Sequence, residues 1–102
     1  MKQKDHSFLS QSTVEEASRI FKALGDGTRI KILYLLSQEE CSVNHIAEVL
    51  DRSQSAVSHQ LSTLRTLRLV KYRREGNTLL YKYDDEHVIS ILNQVIHHIE
   101  HD

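Results

Sequence analysis

Residues 42–67, SVNHIAEVLDRSQSAVSHQLSTLRTL, fall into two short helical segments separated by Asp51-Arg52-Ser53. Ser42 and Ser53 each stand where a helix N-cap is wanted, because a hydroxyl there accepts a backbone N–H left free in the first turn. The first segment, VNHIAEVL, carries the small Ala47 in its interior, and the second presents Val57, Leu61 and Leu64 as one inward stripe. Two helices joined by three residues with this patterning predict a helix-turn-helix. Opposite the stripe of the second helix stand Ser55, Ser58, His59, Ser62 and Thr66, with Gln54 at its start. Short hydrogen-bonding side chains on an exposed face suit a helix that enters a major groove, and a merely solvated face has the same look.

Downstream, residues 69–83 (LVKYRREGNTLLYKY) alternate aromatic or aliphatic residues with cations about a Glu75-Gly76-Asn77 turn. That pattern predicts a β-hairpin with strands over 69–73 and 78–83. Lys71, Arg73 and Arg74 on a hairpin beside a helix-turn-helix describe a wing lying on the phosphate backbone of DNA. Cations on such an edge also serve simply to block strand pairing. The formal net charge of −1 conceals an uneven distribution. Residues 52–83 hold seven Lys/Arg against Glu75 alone, residues 1–51 hold six against eight acids, and residues 84–102 hold five acids and no Lys or Arg. The middle third therefore faces a polyanion, and the last segment suits cations.

Upstream, Val14, Ala17, Ile20, Phe21 and Leu24 recur at helical spacing over 13–24, with Thr13 as the predicted cap. Gly25 ends that helix and Asp26 caps the next, over 28–37, whose Ile30, Ile32, Leu33, Leu35 and Leu36 are expected to centre the core. Residues 1–12 lack periodicity and read as an N-terminal arm, which leaves 13–102 as one domain. The predicted class is mainly α with a small β-hairpin wing. A core from 102 residues is modest, so burying a further apolar face in a homodimer would help. The one cysteine, Cys41, excludes an internal disulfide, and no long apolar run appears. A soluble cytoplasmic protein without a membrane partner is expected.

Residues 84–102, DDEHVISILNQVIHHIEHD, predict a last helix with Val88, Ile91, Leu92, Val95, Ile96 and Ile99 on one face. His87, His98 and His101 run along the edge of that face. Eleven residues separate His87 from His98, roughly 16 Å of helix, so one copy cannot close a metal site. Two copies packed antiparallel would set Asp85 and His87 of one beside His98 and His101 of the other, twice by symmetry. Acids in a first turn and histidines in a last turn also complement the helix dipole, so the same residues read as end decoration too. His97 lies off the stripe and is expected to be an exposed neighbour. His45 and His6 carry no signal.

The stretch FKALGDGTRIKILYLLSQ, then SVNHIAEVLDRSQSAVSHQLSTLRTLRLVKYRREGNTLLYKYDDEHV, resembles the ArsR/SmtB family of bacterial winged-helix metal-sensing repressors along nearly the whole chain. The resemblance implies a dimer through the first and last helices that binds operator DNA. It also implies a Zn(II) or Co(II) effector held by Asp85, His87, His98 and His101, matching a D-x-H and H-x-x-H pattern shared across the dimer. Three imidazoles and a carboxylate form a closed tetrahedral set for such an ion, with affinity falling below about pH 6.5 as imidazoles protonate. Where one subgroup of the family has C-x-C, this chain reads Cys41-Ser42-Val43, which argues against a soft-ion thiolate site. Gly27 stands where the family usually has proline. Two other classes of function remain at this point: a winged-helix regulator gated by redox chemistry at Cys41 or by a partner protein, and a metalloenzyme or zinc buffer, for which no nucleophile–base pair is present and the basic middle third would be unexplained.

Overall fold

Seven elements run through the computed structural model, which describes residues 6–101: α1 (Gln11–Leu24), α2 (Gly27–Leu36), α3 (Val43–Leu50), α4 (Gln54–Thr66), β1 (Val70–Glu75), β2 (Thr78–Tyr83) and α5 (Glu86–Glu100). Ile32, Leu33 and Leu36 of α2 are fully buried, as expected of the central helix, and Ile46 of α3 and Val57, Leu61 and Leu64 of α4 close around them. Each such side chain stabilises the fold by about 1.5–3 kcal/mol on burial. The outcome is a mainly helical winged helix-turn-helix with a two-stranded antiparallel wing.

Local chemistry sets the helix ends. Ser42, Ser53 and Asp26 cap α3, α4 and α2 through side-chain oxygens that accept backbone N–H groups. α1 departs from expectation, because its cap is Ser10, whose hydroxyl accepts the Thr13 N–H at 3.2 Å. The run Ser10-Gln11-Ser12-Thr13 holds three residues able to cap, and the one farthest from the apolar stripe takes the role. The arm therefore ends before Gln11, and its residues 1–5 lie outside the described ones. α3 and α4 both finish in a Schellman closure: Arg52 N–H reaches Ala47 O at 3.0 Å, and Leu69 N–H reaches Leu64 O at 2.9 Å. The left-handed residues those closures demand are Asp51 (φ 54°) and Arg68 (φ 61°), not glycine.

The hairpin pairs Val70 with Tyr83 through Glu75 with Thr78. Because Glu75 joins the ladder, the loop is two residues, Gly76-Asn77, and Gly76 (φ 63°) supplies the positive φ at its first position. A third short piece of sheet has no signal along the chain. Cys41 N–H donates to Tyr81 O at 3.0 Å and Tyr81 N–H to Cys41 O at 2.8 Å, fastening the start of the helix-turn-helix to the root of the wing.

Gly27 is the first residue of α2, follows an extended Asp26 (φ −107°, ψ 123°), and an added Cβ would meet nothing within 4 Å. Proline fits there, since the N–H it lacks makes no bond in the first turn. Gly27→Pro is expected to stabilise the fold by about 0.4–1 kcal/mol by narrowing the unfolded ensemble, read as a higher denaturant midpoint at unchanged slope. A lower midpoint would show that the turn into α2 needs glycine.

Candidate metal centre and nucleic-acid interface

Asp85 is the N-cap of α5, and its Oδ1 accepts the His87 N–H at 2.9 Å while lying 3.2 Å from His87 Nδ1. These two predicted ligands are thus brought together by ordinary capping geometry. His98 and His101 sit at the other end of the helix, so within one protomer the four are not gathered. His101 is the C-cap, with its ring stacked on His97 (centroids 4.3 Å, interplanar 22°) and its Nδ1 3.2 Å from His97 O. His97 is therefore exposed, as expected, and its neighbour is a predicted ligand, on whose ring it stacks. Among the described residues the His98 ring makes no hydrogen bond.

The apolar face of α5 is divided. Ile89 and Leu92 are buried in the protomer, Val88 and Ile96 pack against that core, and Ile91, Val95 and Ile99 remain 41%, 52% and 71% exposed. Ile89 belongs to the face the helix turns inward, one position beyond the stripe read from the sequence. On α1, Val14 and Phe21 are exposed in the same way.

On α4, Gln54, Ser55, Ser58, His59 and Ser62 are all exposed, opposite buried Val57, Leu61 and Leu64. Arg65 at the edge of this face lies over the Tyr72 ring, 4.5 Å from its centroid, and Tyr72 in turn packs on Tyr81 at 5.4 Å. That contact joins α4 to the wing. Lys71 and Arg74 are exposed on opposite faces of β1. Arg73 is engaged otherwise than expected: its guanidinium holds Glu40 with Nη2–Oε1 at 2.9 Å and Nε–Oε2 at 3.1 Å, and Glu75 at 3.3 Å. The hydrogen bond from Arg73 keeps the Glu40 carboxyl below the usual carboxylate range, and the Arg73 pKa is raised in return. Arg73 thus fastens the sheet, while Lys71 and Arg74 enter no ion pair among the described residues.

A family model described as "Bacterial regulatory protein, arsR family" matches residues 26–72. The cadmium resistance transcriptional regulatory protein CadC homolog of Staphylococcus aureus is 38% identical over 91 residues, 88% of this chain and 75% of that protein. The chain belongs to the ArsR family of bacterial regulatory proteins. The transcriptional repressor SmtB homolog of Synechocystis is 37% identical over 90% of the chain and 70% of its own length. A solved homodimeric winged helix-turn-helix DNA-binding domain from Mycobacterium bovis superposes with a TM-score of 0.82 at 32% identity, covering 98% of this chain and 96% of that one. An ArsR-family chain of this fold is a transcriptional regulator and not an enzyme. No helix among the described residues is long and apolar enough to cross a membrane.

Cys41, in the place where some ArsR-family chains begin C-x-C, is 2% exposed, and burial first, with Glu39 second, pushes its thiol up to about 11. A protonated, buried thiol is a poor redox sensor and a reluctant metal ligand. It nonetheless lies in a cluster with Glu39 and His45 whose ligand atoms fall within 4.8 Å of one another, a grouping the linear spacing does not reveal.

Proposed function

We propose that this protein is a repressor whose homodimer holds an inverted-repeat operator when metal-free and releases it on binding Zn(II) or Co(II), expressing genes for metal efflux or resistance in the cytoplasm. The observation that carries this reading is α5: Asp85 and His87 paired at one end, His98 and His101 at the other, and an exposed apolar stripe of Ile91, Val95 and Ile99 between. Antiparallel pairing of two such helices covers the stripe and completes two sites, each with Asp85 and His87 from one protomer and His98 and His101 from its partner.

The donor set fits a borderline divalent ion, since it offers imidazole and carboxylate without thiolate. The relative from Staphylococcus aureus is named for cadmium resistance, and a soft ion of that kind favours thiolate, which the buried Cys41 is ill placed to give. Bound, the ion supplies a crosslink between two helices and nothing catalytic. His87, His98 and His101 must be neutral to ligate, so protons compete for the site.

The two recognition helices, each α4, enter successive major grooves about 34–36 Å apart, and Gln54, Ser55, Ser58, His59 and Ser62 meet base edges and phosphates while Lys71 and Arg74 rest on the backbone. The crosslinked α5 pair favours a dimer whose spacing fits DNA less well, a shift between two populations. His98 carries the coupling, its second ring nitrogen donating to a main-chain carbonyl near Arg68. The test is operator binding with chelator and with added zinc: affinity should fall in zinc, and linkage requires that operator DNA weaken zinc binding by the same factor. Equal operator affinity in both conditions would end the reading.

A further inference from the structure

The groove on the other side of the recognition helix from the wing is lined by cations that the charge distribution along the chain conceals. Arg19 and Lys22 of α1 and Arg29 of α2 face His59, Ser62, Thr63 and Thr66 of α4 across a cavity of about 420 Å³, with Ala23 and Leu67 as apolar floor. No acid among the described residues lines it. Among the described residues none of the three cations is in an ion pair. Arg29 is oriented by α4 itself, its Nε donating to Gln60 Oε1 at 2.8 Å, and among the described residues its terminal guanidinium nitrogens make no hydrogen bond. Arg19 and Lys22 are three residues apart and so share one side of α1.

Position round α4 gives the patch its meaning. At 100° per residue the exposed arc runs from Arg65, through Ser58, Ser62, Ser55, Thr66 and His59, to Thr63 and Gln60. Arg65 touches the wing through Tyr72, and Gln60 touches α2 through Arg29. The wing and the α1–α2 cations therefore flank the same face from opposite edges. A helix in a major groove about 12 Å wide has a phosphate strand on either side of it. Wing cations stand on the side of one strand, and the α1–α2 cations on the side of the other.

We infer that the Arg19–Lys22–Arg29 groove receives the sugar-phosphate backbone of the second strand, so that each protomer grips both walls of the groove its recognition helix enters. The guanidinium and ammonium groups hold phosphate oxygens, the Ser62 and Thr66 hydroxyls lie beside them, and the apolar floor meets the deoxyribose. This rests on the DNA-binding reading above, and the test separates the two.

Binding of random duplex DNA is measured against salt for the full chain, for Arg19→Gln with Lys22→Gln, for Lys71→Gln with Arg74→Gln, and for Lys31→Gln, which removes a cation outside the groove. Glutamine is a good helix former and Arg19 and Lys22 are exposed, so melting should not change. Removing one cation from a phosphate lowers the slope of log K against log salt by about 0.9 in magnitude, so the α1 pair should flatten it by about 1.8 per bound protomer and Lys31→Gln should not. A slope for the α1 pair equal to that of the unsubstituted chain, with the wing pair flattened, overturns the inference and leaves the DNA reading standing. Equal flattening by Lys31→Gln also overturns it, as a general charge effect. An unsubstituted chain with no steep slope overturns both.

Discussion

Replacement of His98 by alanine is expected to leave the metal-free protein on its operator and to abolish release by zinc. His98 is exposed and lies off the core, so the substitution removes the proposed ligand without opening a cavity. Loss of even an outer partner of a zinc ligand costs 10–100-fold in affinity, so loss of the ligand should exceed about 100-fold, on the order of 3 kcal/mol. Calorimetric zinc titration and operator anisotropy on the same samples read both halves. His97→Ala is the control: it removes the stacking partner of His101 but no ligand, and should keep release within a few-fold of normal. His98→Glu retains a ligand atom but has no N–H to donate, and should bind zinc yet release DNA poorly if His98 carries the coupling. Full zinc-driven release from His98→Ala would remove this residue from the site.

The parts of the fold that were legible in the sequence are those whose information is local. Ser42 and Ser53 cap as their spacing implies, and Val57, Leu61 and Leu64 are the buried stripe of α4 because a period of 3.6 leaves one face for them. The pairing of Asp85 with His87 at the start of α5 was equally open to reading, because capping is local. What escaped is tertiary. Glu40 lies 33 residues from Arg73, and no pattern along the chain says that the short bridge at Cys41 will bring them to the same face of the sheet. Arg19 and Lys22 sit in a half of the chain where acids outnumber bases, so a running charge count dilutes them. The division of the α5 face between protomer core and exposed stripe depends on where α2 packs, and the amphipathic pattern alone cannot apportion it.

That division makes Val95→Glu the second large effect. Val95 is 52% exposed, between Ile91 and Ile99 on the stripe and away from Ile89 and Leu92, which hold α5 to its own protomer. The substitution should therefore leave the protomer folded, with its melting little changed at protein concentrations where the parent chain is already monomeric. In the antiparallel dimer two added carboxylates would enter an apolar interface without partners, and an unpaired buried charge costs several kcal/mol. Sedimentation should find a monomer at micromolar concentration. Operator affinity should then fall about 10²–10⁴-fold, because two half-sites are no longer bound by one linked pair. Zinc affinity should collapse in parallel although every ligand is still present, since Asp85 and His87 would be without the partner's contribution at the other end of α5. This coincidence separates an interfacial site from one closed within a protomer: a monomeric Val95→Glu chain that takes up one zinc with unreduced affinity would show that the ion never needed a second copy.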